Sequence, residues 1–533
     1  MAIKTMSASS TGSWSIGWKE VTLKNAKYGV YNGDVRYIDA WFEENAITIE
    51  KEETGELLPI QKNERWLAVL IDFNDQNEPG NCEQNHASNL LDQSAEDYLK
   101  QTFGDDISLT IDYHSKIIFP MHEMSWYGKD VNGERDVGTY GHSPHTLSVE
   151  VANAIKHDID WDLYDLNGDK WIDRFLILHC VKPQEDNGAE DSIWSHFAST
   201  EKIVELPGDY QLGHYTISSH RSSNNFGTII HEMFHQLGAI DLYPVGHDTV
   251  QENWNGVGDW DIMASGNWNG NGAWPALPTG PSIELLGGER HLDVELDWNC
   301  NDGETNLMGP EVQLSGMSEG GNALKIRIDS EEYIWVELRT DHGFDSNLPG
   351  EGILVTQQVL SVGGMEENTA NSHPNRAWLK VLEADGEQNL VAGNNDGEAS
   401  DLFRDGDSFG ANGDVIIRNR DGFRVDWTAY VTENNQTFYV TFESEGCGHT
   451  TTFDLPDHGS VITKDGNIPI NGECTGMQYS LTSSDGRDVS IVNQFLIFDS
   501  EGTTGVLGVI SGIIQCDEGT NFDLRYEFEV LGN

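Results

Sequence analysis

The stretch that most constrains this chain runs from Gly227 to Trp268, opening GTIIHEMFHQLGAIDLYPV and closing GDWDIMASGNW. Ile229, Ile230, Met233, Phe234 and Leu237 recur at helical spacing, which predicts a helix with one side buried. His231 and His235 stand four residues apart and so project from one face, where two imidazoles can share a metal ion. Glu232 lies one position round from His231, placed to take a proton from a metal-bound water. A helix running straight on offers no third ligand. Gly238 answers this, because glycine accepts the left-handed backbone that ends a helix and swings the chain around. Asp241 could then return to the metal, and three protein ligands leave zinc an open position for water. An isolated His-Glu-x-x-His also arises by chance in helices, and the additions after it are what reduce that reading. Asp261 to Gly266, DIMASG, fits a tight turn that sets Met263 beneath the site, against the plainer reading of Met263 as core filler. His247, Asp248, Glu252 and Asp259 follow within reach of a loop and stay open as alternative third ligands.

A chain of 533 residues has room for two to four domains. Its charge is unusual: 31 basic against 89 acidic residues give a formal net of -58, which argues against nucleic acid or an anionic membrane as partner. The acids are spread along the whole chain, as on a solvated surface, with adaptation to high salt and divalent-cation sites as competing explanations. No run approaches the ~20 apolar residues that span a bilayer. The opening MAIKTMSASSTGSW lacks the apolar core of a signal peptide, so export implies either a signal removed from this sequence or another route. Six cysteines, Cys82, Cys180, Cys300, Cys447, Cys474 and Cys516, lack paired metal spacing and are too few for a disulfide scaffold. One bridge is expected among the last three. Cys180 ends an apolar run and reads as a buried thiol, while Cys82 reads as a loop cysteine with a remote alternative as an inhibitory thiolate.

Along the chain, SWSIGWKEV and DVRYIDAWFEENAITIE alternate as strands within residues 1–60, an N-terminal β-rich segment or the remnant of a pro-segment. WLAVLIDF from Trp66 reads as a buried strand. Ser94 with Asp97 resembles a capping box opening a helix through Tyr98, Leu99 and Phe103. ISLTIDY and KIIF read as strands, and Ser143-Pro144 opens a helix whose buried stripe is Leu147, Val151, Ala154 and Ile155. Asp165, Asn167, Asp169 and Asp173 carry oxygens at alternate positions around Gly168, a pattern that wraps calcium. The loop is not a full EF-hand, since Leu176 stands at position twelve, and its rival reading is an acidic Asx-turn before a strand from Trp171 to His179. Past Trp274, EYIWVELRT, LPGEGILVTQQV and RAWLKVLEADG predict a β-sandwich over 305–445. Asp385, Asp401 and Asp407 within it read as solvated loop acids rather than a second cation site. A small C-terminal β-domain is expected over 446–533.

HEMFHQLGAIDLY followed by GDWDIMASGNW resembles the immune inhibitor A family of secreted zinc metalloproteases, relatives of the metzincins. The resemblance covers roughly Trp66 to Phe442. It implies an α+β metzincin-like protease domain over 61–304, followed by β-sandwich domains. It implies His231, His235 and Asp241 as zinc ligands and Glu232 as general base, the family carrying aspartate where typical metzincins carry histidine. The Asp-rich turn at 165–173 and Ile193-Trp194-Ser195-His196 are also similar to the family, although a lone histidine such as His196 is more often structural. So are Leu348-Pro349-Gly350, His373-Pro374 and Ala384-Asp385-Gly386. Two departures matter: Ser265 stands where many metzincins have a tyrosine, and Gln357-Gln358-Val359 replaces the family's His-x-Asp. Metzincin-like proteases hold an extended peptide on an edge strand before the catalytic helix, and the run from Val204 to Ser219 is the candidate here. The resulting expectation is a secreted, monomeric zinc endopeptidase with calcium, acting on proteins or peptides, without membrane insertion. The alternatives are a non-catalytic surface adhesion protein and a zinc hydrolase of another amide.

Overall fold

The computed structural model describes residues 55–444 apart from 74–81, 187, 246–253, 297–307, 367, 421–423 and 426. Outside that span it describes only backbone strands. Three near the N-terminus, Met6–Ala8, Ser13–Ile16 and Lys19–Thr22, form an antiparallel sheet, and the second and third fall on SWSIGWKEV. Seven between Val461 and Val530 form a four-stranded and a three-stranded sheet, meeting the expectation of strands there. The strand expected at DVRYIDAWFEENAITIE and the cysteines Cys300, Cys447, Cys474 and Cys516 lie outside the described residues.

The first layered unit is built on β1 (Asn63–Ile71), β2 (Ser108–Tyr113), β3 (Phe175–His179), β4 (His196–Leu206) and β5 (Tyr210–Ser219). Their order is β2-β1-β3-β5-β4, all parallel except the outer strand β4, which runs antiparallel to β5. A parallel sheet is covered on both faces, and β1 accordingly reads as a near-continuous apolar run. Trp66, Ala68 and Leu70 face one core with α1 (Gln84–Phe103), while Leu67, Val69 and Ile71 face another with α2 (Pro144–Ile155). The first core also takes α3 (Phe226–Gln236), the helix carrying both histidines.

Two buried devices fix α3 under the sheet. Gln236, at its end, donates from Nε2 to Phe175 O at 2.8 Å and accepts the Phe175 amide at 3.0 Å. Arg174 pairs with Glu64 at 2.8 Å, both side chains fully buried, and also donates to the carbonyls of Leu58 and Pro59. A charge so deep persists only when paired and hydrogen-bonded.

The second unit contains two five-stranded sheets. One joins β6 (His291–Val294), β8 (Ala323–Asp329), β9 (Glu332–Arg339), β10 (Gly352–Val359) and β11 (Leu379–Val381). The other joins β7 (Met308–Leu314), β12 (Ser408–Gly410), β13 (Val415–Ile416), β14 (Trp427–Asn434) and β15 (Thr437–Ser444). Ile326, Ile334 and Val355 of the first sheet share a core with Phe409, Trp427 and Phe442 of the second. The first sheet's opposite face, through Trp335, Leu354 and Leu379, joins the core that buries α3. Arg339 locks this contact: it pairs with Asp345 at 2.7 Å and Glu337 at 3.0 Å, and donates to the carbonyls of Trp260 and Leu277.

Several expectations are corrected. α1 begins ten residues before Ser94, because Ala87, Leu91, Ala95, Leu99 and Phe103 continue one buried i,i+4 row, and Ser94 is an interior position. KIIF makes only an isolated bridge, Ile118 to Ile71. The strand read from Trp171 begins at Phe175. On α2 the buried alanine is Ala152 rather than Ala154. The run 204–219 is not an edge strand but a hairpin, turned at Gly208 and Asp209 with φ of 86° and 63°, and β5 is paired on both sides. The edge is β4. Cys180 is not a thiol: it is disulfide-bonded to Cys82, with Cα atoms 5.0 Å apart, which also removes Cys82 as a candidate thiolate.

Candidate metal centre

α3 ends at Gln236, and Gly238, with φ of 103°, reverses the chain. Asp241 is thereby returned beneath the helix. Its Oδ1 lies 3.1 Å from His231 Nε2 and 3.4 Å from His235 Nε2, and the two nitrogens are 3.2 Å apart. Each ring directs its other nitrogen at a carbonyl, His231 Nδ1 to Ile262 O at 2.8 Å and His235 Nδ1 to Ala239 O at 2.9 Å. Those contacts place the proton on Nδ1 and leave Nε2 with a lone pair, the tautomer a metal ligand needs. Two nitrogen lone pairs then converge on a buried carboxylate oxygen that has no hydrogen bond of its own. Such a set repels itself until a proton or a cation sits among the three. Zinc at about 2.0–2.1 Å from each donor in tetrahedral geometry requires donors about 3.3–3.4 Å apart, and the residues fit it.

The electrostatics agree in direction. Burial works against a charged imidazole, but Asp241 overrides it and holds His235 up to about 9. Burial would raise the Asp241 carboxyl, and His235 with His231 instead pull it well below the usual carboxylate range. Glu232 is raised, first by burial and then by Asp241 against the opposing histidines.

A turn at 261–266 passes beside these residues, its Ile262 O bonded to His231, and Met263 is buried in the core. Its position follows from Asp261, whose Oδ2 accepts from Thr279 N, Thr279 Oγ1 and Ser282 Oγ at 2.7–2.8 Å while Oδ1 accepts the Met263 amide. Met263 O in turn accepts the Leu242 amide at 2.7 Å, binding the turn to the strand of chain that carries Asp241. Among the rival third ligands, Asp259 is not in the cluster, and His247, Asp248 and Glu252 lie outside the described residues.

A cleft of about 550 Å3 opens over the cluster, lined by His231, Glu232, Tyr243, Glu185, Trp194 and Asp396 among others. Three contributors were missed in the sequence. Asn368, from the second unit, donates from Nδ2 to Asp241 Oδ2 at 2.5 Å and accepts the Asp241 amide at 2.6 Å. Tyr243 stacks beside His231 with centroids 6.5 Å apart, and burial, then Asp241, raises its phenol. Glu185 accepts the Ser195 amide at 3.1 Å, and burial pushes it up to about 7. No motif marks Asn368 or Glu185; Tyr243 alone sat within the quoted segment. His196 is structural, held by Trp194 O at 2.7 Å and Tyr215 Oη at 2.8 Å.

The turn of Asp165, Asn167, Asp169 and Asp173 spends its oxygens on itself. Asp165 accepts the amides of Gly168, Asp169 and Lys170, Asn167 that of Asp169, Asp169 that of Trp171, and Asp173 that of Leu166 at 2.6 Å. Asp165, Asp169 and Asp173 are not among the carboxylate groups whose oxygens lie within 4.8 Å of one another. That is the geometry of an Asx-turn.

A family model for the immune inhibitor A peptidase M6 catalytic domain matches residues 120–280, which include the whole cluster. Residues 120–280 belong to the immune inhibitor A peptidases. The chain thus carries a metallopeptidase catalytic domain, and the metal-binding residues of such a domain have a ready candidate in His231, His235 and Asp241. Among solved structures, two of OgpA from Akkermansia muciniphila are similar at 9% identity and a TM-score of 0.24 each. One is the wild type, covering 90% of this chain, and the other a catalytic inactive form in complex with an O-glycopeptide (glycodrosocin) substrate, covering 92%; each is itself covered over 98%. At that similarity neither the fold nor the site of this immune inhibitor A domain follows from OgpA. Comparison with curated proteins finds no match. Among the described residues no helix is long and apolar enough to cross a membrane.

Proposed function

We propose that this chain is a secreted zinc endopeptidase, with His231, His235 and Asp241 as zinc ligands and Glu232 as general base. The observation that carries the reading is the convergence of two imidazole Nε2 atoms and one unpartnered carboxylate oxygen, within 3.1–3.4 Å, beside Glu232 in an open cleft. Zinc held by His231, His235 and Asp241 would acidify a water to about pKa 7 and polarise the scissile carbonyl. Glu232 is the residue that would take up a proton from the attacking water and return it to the leaving amine, and its raised affinity for a proton suits both roles. β4 offers its outer edge to an extended substrate backbone, and Phe197 on that strand stacks on His235 with centroids 6.2 Å apart. Tyr243 lines the cleft beside His231, where its phenol can donate to a carbonyl oxygen.

We read the first unit as metzincin-like, from about residue 61, on the antiparallel edge strand, the glycine reversal and the methionine turn. The second is read as a β-sandwich to 445, with β6 handing over between them. Export is supported by the Cys82–Cys180 bridge, since disulfides persist in oxidising compartments. The test is the variant Glu232→Gln, which should retain zinc and lose cleavage of a protein such as casein. Full activity in that variant would end the assignment.

A further inference from the structure

Away from the cleft, Glu383, Asp385 and Asp401 each bring a carboxylate oxygen within 4.8 Å of the others. Asp401 is fully buried: its Oδ2 accepts from Trp260 Nε1 at 3.1 Å and from the Glu398 amide at 2.9 Å, while its Oδ1 has no partner. Glu383 is also buried, accepting the amides of Asn389 and Leu390 at 2.6 and 3.2 Å. Asp385 reaches in from the exposed side and is shared with a second group, Glu387 and Glu398. The charges facing Glu383 are those of Asp401 and Asp385, both negative. Buried carboxylates facing one another without a compensating charge are costly. The reading of Asp385 and Asp401 as solvated loop acids therefore fails for Asp401. Asp407 stands apart, accepting the Arg404 amide at 2.7 Å in a turn.

We propose that Glu383, Asp385 and Asp401 bind calcium, and that the ion clamps the 383–401 loop against the wall of the peptidase cleft. An all-oxygen set with two or three carboxylates suits a hard cation, and calcium completes its six to eight ligands with waters and carbonyls. The loop is what joins this site to the cleft. Its two ends meet where the Ala384 amide donates to Asp401 O at 3.0 Å. Between them, Leu390 O accepts the Asn255 amide at 3.0 Å, Asn395 O accepts Asn255 Nδ2 at 2.7 Å, and Asp396 O accepts the Asp259 amide at 2.6 Å. Asp396 itself lines the cleft with His231 and Glu232. Holding Glu383 to Asp401 thus holds one wall of the substrate site, and removing the ion lets three like charges push that wall apart. Calcium binding stands on the carboxylates alone; its effect on cleavage rests on the peptidase reading.

The test uses the full chain loaded with zinc and titrated with terbium(III), then calcium. Trp260 lies against Asp401, so tryptophan excitation should sensitise terbium emission, and calcium should quench it by displacement while magnesium at equal concentration does not. Asp385→Asn, at an exposed position, should weaken terbium binding at least tenfold with zinc content unchanged, and should abolish the calcium-dependent rise in melting temperature. Asp401→Asn should do the same if it folds. Because Trp171 adjoins the Asp165 turn, Asp165→Asn is the control and should leave the signal intact. Equal terbium affinity in wild type and Asp385→Asn, or a signal lost in Asp165→Asn instead, overturns the proposal. Calcium binding without any proteolysis would leave this site standing and remove the peptidase reading; proteolysis without calcium binding would do the reverse.

Discussion

Asn368 reaches the metal cluster from 127 residues away in sequence, and removing its side chain isolates what the second unit contributes to the centre. The substitution of choice is Asn368→Gly, because Asn368 has a φ of 55° that glycine adopts freely and alanine does not. Two hydrogen bonds are lost: one from Nδ2 to the Asp241 carboxylate at 2.5 Å and one from the Asp241 amide to Oδ1 at 2.6 Å. The first fixes which Asp241 oxygen faces His231 and His235; the second fixes the backbone that carries it. A hydrogen bond to a charged group contributes about 1.5–3 kcal/mol, and outer-shell partners of metal ligands typically change affinity 10–100-fold, about 1.4–2.7 kcal/mol. The two routes agree, so zinc affinity should fall by one to two orders of magnitude. Competition against a chromophoric chelator at fixed pH reads this directly, and the melting temperature of the zinc-free protein controls for global damage. Unchanged zinc affinity in a folded Asn368→Gly would show that Asn368 has no part in holding Asp241 for the metal.

Other outcomes follow from the same geometry. Glu232→Gln should lower turnover by about 10²–10⁴-fold with zinc retained, by metal analysis and casein cleavage. Asp241→Ala should lose zinc; unchanged affinity would return the third ligand to the chain beyond Gly238. Because Asp241 holds the His235 proton up to about 9 against burial, zinc must displace it at neutral pH. Chelator competition should therefore show affinity rising roughly tenfold per pH unit up to that point, and a flat profile would refute the shift. In zinc-free protein the same proton stabilises the fold in full below the unfolded pKa of about 6.5, and the gain is lost as pH rises through about 9. Arg174→Met strands Glu64 in the core and should cost about 3–5 kcal/mol by urea unfolding. Replacing Cys82 and Cys180 by serine opens a bridge spanning 98 residues and should cost about 2–5 kcal/mol.

The clustering of the candidate ligands was legible because their spacing is set by helix geometry: His231 and His235 share a face wherever that helix is placed, and Gly238 announces a reversal at a fixed distance. β1 was legible because a strand covered on both faces must be apolar throughout. Ser94 misled for the opposite reason, since a local cap pattern says nothing against a buried row that begins at Ala87. What the chain cannot encode locally is which distant groups close on one another. Asn368 on Asp241, Arg339 across Asp345 and Trp260, Cys82 with Cys180, and the three carboxylates around Asp401 are each assembled from segments whose nearest neighbours in sequence carry no trace of the contact. The sequence by itself determined the helix, the reversal and the donor atoms of the candidate metal centre. The tertiary structure alone decided that β4 is the edge strand beside α3, that the second unit holds Asp241 in place, and that Asp401 is buried, because burial and pairing across layers are properties of packing.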